Sequence, residues 1–562
     1  MKRIFIIGLM LLIASNFIFA AGGQQAGGST SSALTRPGDW KYKYPEPVTV
    51  TVGRDFGNVN YFEGESFENN IYTKWIKDTY NIVVKTGFLV PGAEYQQRVT
   101  LAIASGDLPD VMEVTNQLQL VEMAEGGMLE DLTGLTDKWG SPLYKACLES
   151  FGGLKDGFPS CFYNGKQYAN GAGQSGGVDC LFWVREDWRL KLGLPEPKTL
   201  DDFIKLAKAF VDNDMAGNKS TVGLNIASAS TGNYNTNNMS DPFYAEVGAY
   251  PRLWIDGTGG KITYGSIAPQ AKEGLKAMRD MYASGVIAKD YVTRDHTASI
   301  AAGQIGVMLG SWWHGNLTLS AAMNNDPTVN YQPYTWTSAK TGKRYSFNHN
   351  FSVRWNVARK GYAYPEISIR FQNLCAEVRA FTDGKVLTNE EETKFGIAIP
   401  DNIKNAYTGR QGINWGAWPS GVQINFLDYI PRMARFEQTD LAAFKAGNKA
   451  GIIPANITMF ENVVKYENGD KSVDAWRFYV NYKAKQFTVS DFGKIDYKKT
   501  YWPYSTETMK QRWANLTTLE NLAYNQIIMG ERPLDYFDTF VKEWLDQGGT
   551  RIIEEVNKQF GK

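Results

Sequence analysis

Three histidines and four cysteines in 562 residues leave little from which to build a metal centre or a thiol nucleophile. His296, His314 and His349 form no H-E-x-x-H pair, no G-x-S-x-G elbow occurs, and Cys147, Cys161, Cys180 and Cys375 match no zinc-ligand spacing. Zinc and serine hydrolysis thereby lose their usual sequence support. The Gly-rich stretch from Gly171 to Gly177 is not followed by the Lys-Ser/Thr of a phosphate loop and reads as a plain loop. An excess of charge of one sign is also missing: 59 Lys and Arg balance 59 Asp and Glu. Nucleic acids and anionic membranes both ask for a basic footprint, so neither is an expected partner. No pair among the acids is singled out as a glycosidase dyad.

Long apolar runs are scarce as well. Ile4 to Phe19, behind Met1-Lys2-Arg3, is interrupted by Ser15 and Asn16 and is shorter than the ~20 residues that span a bilayer. Its charged start, apolar middle and Ile18-Phe19-Ala20 end read as a secretory signal over residues 1–20. Residues 21–44, opening with Gly22-Gly23-Gln24-Gln25, then read as a flexible leader. An exported chain can oxidise its thiols, and four cysteines allow three full pairings, so free thiols and an incidental bridge both stand.

What is abundant is length and aromatic surface. A chain of this size exceeds one hydrophobic core, so two lobes or more are expected. Its 16 Trp, 30 Tyr and 29 Phe can fill large cores, and can also offer the flat faces on which pyranose rings stack.

The order of elements is legible in several places. Val48–Val52 reads as a strand, residues 67–80 as an amphipathic helix and Ile82–Thr86 as a second strand, a βαβ unit that implies a parallel sheet. A helix over residues 94–104 ends at Gly106, Pro109 prevents its continuation, and Val111–Val114 returns to the sheet. Pro197 bars a helix before Thr199, which is a natural N-cap with Asp202 as the returning acid. Phe203, Leu206, Ala207 and Phe210 then share one helical face. Gly303–Met308 reads as a strand that delivers Trp312, Trp313 and His314. Near the C-terminus, Phe537, Phe540, Val541 and Trp544 make a helical face that Gly548 and Gly549 interrupt.

Three of these stretches carry a resemblance: Gly165-Lys166-Gln167-Tyr168 through Arg185-Glu186-Asp187-Trp188 to Pro197-Lys198-Thr199, the turn Ala104-Ser105-Gly106-Asp107-Leu108-Pro109-Asp110, and Leu534 to Asn557. In them the chain resembles extracellular solute-binding proteins, the large sugar-binding receptors of ABC importers. The resemblance, from about Val48 to Phe560, implies an α/β fold of two lobes with mainly parallel sheets and a ligand cleft between them. Lobe 1 is expected at 45–172 plus 350–404 and lobe 2 at 173–349 plus 405–562. It implies an exported receptor that captures a carbohydrate, by size an oligosaccharide, and hands it to ABC permease subunits in the membrane. Catalysis and a cofactor are not implied, and a monomer is. A secreted glycosidase or lyase and a sugar sensor for a signalling receptor are the alternatives. Relatives are often lipoproteins anchored through a cysteine at the processed N-terminus; the first here is Cys147, which implies a soluble periplasmic protein.

By family geometry the ligand residues are expected on loops after sheet strands and at lobe crossings: Arg54, Asp55, Asn116, Asn170, Trp312, Trp313, His314, Trp415 and Trp418. Trp312 and Trp418 are the first choices as stacking platforms, with at least one Trp of these pairs expected in the core. Relatives carry a calcium-like acidic loop where this chain has Asp212, Asp214, Asn218 and Ser220. Calcium asks for six to eight oxygens, and with Ala216 where the next acid would stand, an Asx-rich turn without metal is the expectation.

Overall fold

The structure, a computed structural model, describes residues 36–55, 61, 63–173, 180–227, 240–347, 354–382, 385–397, 399–400 and 418–562. The expected signal lies outside the described residues. The strands that frame the molecule are β1 (Val48–Asp55), β2 (Ile82–Val90), β3 (Val111–Val114), β4 (Ala169–Gly171), β5 (Cys180–Arg185), β6 (Val222–Leu224), β7 (Ile305–Ser311), β8 (Tyr331–Tyr334), β9 (Arg344–Phe347), β10 (Trp355–Ala358) and β11 (Ile495–Lys498). The helices used below are α1 (Ile71–Tyr80), α2 (Gly92–Ser105), α3 (Gln117–Glu125), α4 (Leu200–Asp212), α5 (Pro269–Ala283), α6 (Ile367–Thr382), α7 (Tyr429–Lys445), α8 (Pro454–Glu467), α9 (Val473–Asp491), α10 (Glu507–Met529), α11 (Tyr536–Trp544) and α12 (Thr550–Gln559).

One sheet has the order β2-β1-β3-β10-β4 and a second the order β8-β5-β7-β6. The βαβ expectation holds: β1 and β2 pair in parallel from Val48 opposite Ile82, and β1 pairs in parallel with β3. Asn70 caps α1 by accepting from the Tyr72 and Thr73 backbone N–H groups, while Gly106 closes α2 at φ 71°, a conformation glycine adopts without penalty. The Thr199–Asp202 capping box starts α4, which buries Phe203, Leu206, Ala207 and Phe210 against the second sheet. The glycines near the C-terminus interrupt the helix as expected, with Gly548 at φ 124° outside helical conformation. α11 runs through one wide turn, Leu545–Gly549, into α12.

The sheets are mainly parallel in strand direction, with one reversed strand in each. β10 is antiparallel to β3 and to β4, and β5 is antiparallel to β7 and to β8. The reason is topological: β5 and β10 each enter a sheet from the other body, and each starts at the edge where its neighbours end.

The N-terminal segment also differs from expectation. Residues 36–44 are docked, not a free leader: Arg36 makes a two-pronged ion pair with the fully buried Glu366, Tyr44 donates to the same carboxylate at 2.7 Å, and Arg370 donates to the Trp40 and Tyr42 carbonyls. The Arg370 guanidinium lies 3.7 Å from the centre of the Tyr80 ring. Sequence composition around Gly22–Ser29 does not extend its character to this aromatic stretch.

The return to the second body lies later than residue 405. Trp418 packs with Tyr72 and Trp75 in the core on one face of the first sheet, and Ile424, Phe426, Tyr429 and Met433 join the core on its other face. Further along the same helix, Leu441 belongs to a small helical core with Phe460 and Val463 of α8. α7 therefore runs from one body to the other. α9 ties that helical unit to the second sheet through Trp476, Val480 and Ala484.

All four cysteines are free, buried thiols. No helix among the described residues is long and apolar enough to cross a membrane.

Candidate functional site

Chain connectivity links two sheet edges, one from each body. β4 ends at Gly171 on the edge where β1 and β3 also end, and the chain next appears as β5, starting at Cys180 on the edge where β6, β7 and β8 end. The return crossing runs from β9 to Arg354, at the start of β10, on the same first edge. Two crossings thus join the carboxyl ends of the parallel strands in both sheets, which is where open α/β sheets hold ligands. Trp312 confirms that the edges meet: its half-buried indole packs against a core of the first body and a core of the second.

On the first edge the polar groups form one charge cluster. Arg354, 39% exposed, donates to Glu113 Oε1 and sits 3.5 Å from Asp55 Oδ2. Arg54, at the end of β1, is buried; its Nε donates to the Asp55 carbonyl at 2.9 Å and its Nη1 to the Trp418 carbonyl. Burial pushes the Glu113 carboxyl up, opposed by Arg354 and Arg54. Burial likewise lowers the Arg54 guanidinium, with Glu113 raising it. Glu113 Oε2 is buried with no hydrogen-bond partner, under the backbone of Gly421.

On the second edge, Ser311 ends β7 and the chain turns through Trp312, Trp313 and His314. Trp313 stacks on His314 with ring centres 4.1 Å apart. His314 is buried, its Nδ1 pairs with Thr318 Oγ1 at 2.9 Å, and burial pulls it down to about 4, so it is neutral at ordinary pH. Ser311 Oγ, His314 Nε2 and both amide atoms of Asn481 are buried without partners. Lys485 Nζ lies 5.2 Å from the Trp312 ring centre and is paired with Glu437 of α7. Behind β8, Arg344 holds Asp491 at 2.9 Å and donates to the Cys180 carbonyl, while Thr335 donates to Asp491.

Several expected ligand residues turn out to be structural. Trp418 is fully buried, edge-on to Tyr72 at 5.1 Å, and offers no face for a sugar; it is the Trp that joins the core. Asn170 is also fully buried, accepting from Gln167 Nε2 at 3.1 Å and donating to Ser368 Oγ at 3.3 Å. Both lie beneath the edge, where a sequence-based count of loop positions cannot distinguish floor from wall. Asn116 is exposed and caps α3 by accepting from Leu118 N at 2.9 Å. Trp415 lies outside the described residues. Arg54, Asp55, Trp312, Trp313 and His314 do stand at the edges. Glu113, Arg354, Arg344 and Lys485 were missed, although a lone acid inside Val111-Met112-Glu113-Val114 is a signal that such a group is being held for a partner.

The acidic loop is a closed turn. Asp214, at φ 42°, accepts from Lys219 N at 2.8 Å and from Thr221 Oγ1 at 2.9 Å, while Asp212 pairs with Lys208. Among the described residues no three His, Cys, Asp or Glu side chains gather as a metal site.

The fold has close company among solved structures. It superposes on the alginate-binding protein AlgQ2 without calcium ion at TM-score 0.56, with 16% identity over 93% of this chain and 99% of that one. The Streptococcus pneumoniae ABC-transporter substrate-binding protein FusA in complex with kestose gives 0.53, with 17% identity over 91% and 99%. By sequence, the fructooligosaccharide ABC transporter substrate-binding protein FusA of Streptococcus pneumoniae is 28% identical over 253 residues, 42% of this chain. That match spans 46% of the relative's own length. Lipoprotein LipO of Bacillus subtilis is 20% identical over 478 residues, 84% of this chain and 85% of LipO. The family model for bacterial extracellular solute-binding proteins matches residues 63–366, more than half of the chain, and the chain belongs to that family.

Proposed function

We propose that the chain is an exported, monomeric receptor that captures an oligosaccharide in the cleft between its two bodies and delivers it unchanged to the permease subunits of an ABC importer. The observation that carries this reading is the pairing of unlike surfaces across the cleft. One edge presents Arg354 and Asp55, groups that can hydrogen-bond sugar hydroxyls, and the buried Glu113 holds Arg354 in place. The other presents Trp312 and Trp313, whose faces suit the C–H side of a ring. A sugar bridging both edges favours the approached arrangement of the bodies by its differential affinity for it. The names of FusA and AlgQ2, one of fructooligosaccharides and one of alginate, support a carbohydrate as the solute.

Micromolar capture needs about 8 kcal/mol of net binding, within reach of a stacked ring and a few buried hydrogen bonds. The test is a thermal-shift screen of the processed chain against oligosaccharides, with chromatographic analysis of each mixture. A sugar-dependent rise in Tm with the sugar recovered intact supports the receptor, because binding to the native state alone stabilises it. Conversion of the sugar to smaller products would overturn that reading in favour of an exported glycosidase or lyase.

A further inference from the structure

The cations at the two edges have something in common that bears on which sugar can enter. Arg354 is held between Asp55 and Glu113. Buried Arg54 lies against the same two acids. Across the cleft, Arg344 is held by Asp491, and Lys485 beside Trp312 is held by Glu437. His314 is neutral. Arg98, nearly two turns inside α2, spends its guanidinium face on the Phe88 ring at 4.4 Å. Among the described residues, Arg354, Arg54, Arg344 and Lys485 therefore each have their charge already answered by a carboxylate of the protein.

From this charge balance we infer that the captured oligosaccharide is neutral and that uronic-acid oligomers are excluded. The inference rests on the receptor reading above and narrows its ligand. A sugar hydroxyl can donate to Asp55 and accept from Arg354 without displacing the ion pair, because a carboxylate keeps spare lone pairs and guanidinium keeps spare N–H groups. A uronate carboxylate entering the same place meets Asp55 and Glu113 as like charges. It must then give up its water without gaining an uncommitted cation from Arg354, Arg54, Arg344 or Lys485, which is the costly half of burying a charge. On the second edge Arg344 and Lys485 are buried against Asp491 and Glu437, so neither charge is offered to a ligand. Selectivity here comes from repulsion built into the pocket as well as from attraction.

The experiment is calorimetric titration of the processed chain with neutral fructo-, malto- and cello-oligosaccharides, and with oligogalacturonates and alginate oligomers of matched length. A neutral series should bind at least 100-fold more tightly than any uronate of the same length. Asp55→Asn and, separately, Glu113→Gln each release part of the Arg354 charge, so uronate affinity should rise about tenfold in each while neutral-sugar affinity falls. Asp55 is the less buried of the two, so its variant keeps the test available should Glu113→Gln fold poorly. Uronates binding as tightly as neutral sugars would overturn this inference and leave the receptor intact. If neither series binds, both the inference and the carbohydrate reading fall.

Discussion

Lys510 on α10 of the second body forms an ion pair with Glu125 at the end of α3 in the first body. The same carboxylate accepts from Tyr163 at 2.7 Å, and the Tyr163 ring meets Tyr504 of the second body edge-on at 5.2 Å. The pair lowers the Glu125 carboxyl and raises the Lys510 ammonium. It is a tie between the two bodies away from the crossing segments.

Both partners are about one-third exposed, so the pair contributes no more than about 1 kcal/mol to holding the bodies together. Glu125→Gln and Lys510→Gln should each weaken ligand binding about two- to fivefold at low salt, with the double variant no worse than either single. At ~0.5 M salt, where exposed charges are screened, wild type should approach the variants. Calorimetry at two salt concentrations reads this directly; identical affinities throughout would show that the tie plays no part in capture.

The two tryptophans once paired as platforms should separate cleanly. Trp418→Ala removes a fully buried indole and should cost about 3–5 kcal/mol of stability. Trp312→Phe keeps an aromatic at the bridging position but loses stacking area, and should reduce sugar affinity severalfold while moving Tm little. Urea unfolding and calorimetry on both variants check the split, which a large affinity loss in folded Trp418→Ala would contradict.

Glu377 on α6 gives the protein a dependence on pH. Burial pushes its carboxyl up to about 8 against the pull of Lys41. The folded state therefore keeps the group neutral up to about 8, whereas the unfolded chain ionises it above ~4.3. Its contribution is fully favourable below that lower value, is lost as pH rises between the two, and is level above pH 8. Glu377→Gln should raise stability by only about 1 kcal/mol at pH 5 and by up to about 5 kcal/mol at pH 8.5. Urea midpoints at the two pH values measure it, and an equal effect at both would contradict the assignment.

Gly421 tests the coupling between the cleft floor and its charge cluster. A Cβ there would stand 1.9 Å from Glu113 Oε2, so Gly421→Ala must displace the carboxylate from its place beside Arg354. Sugar affinity should fall about tenfold or more, with destabilisation of about 1–3 kcal/mol from overpacking. Unchanged affinity would show that Glu113 does not position Arg354 for the ligand.

Local signals were the legible part of this fold. The Thr199–Asp202 box, the Gly106 stop and the βαβ periodicity each depend on residues a few positions apart, and each is found as read. What escaped depends on partners far along the chain. Nothing near Glu366 announces that Arg36 will dock on it, and nothing near Trp418 announces Tyr72 as its neighbour. The antiparallel entry of β5 and β10 follows from crossings between bodies, which periodicity does not encode. In the candidate site, aromatic residues stood out by type, whereas Arg354 and Lys485 became candidates only when pairing with Glu113 and stacking on Trp312 put them in place.

The central claim is capture between two bodies without chemical change. Small-angle X-ray scattering of the processed chain during a titration with the sugar that raises its Tm tests this most directly, with the sugar recovered and analysed afterwards. The account predicts a saturable decrease in radius of gyration at one sugar per chain, followed by recovery of the sugar intact. A saturated complex whose radius matches that of the free chain, or a sugar returned in pieces, would contradict it.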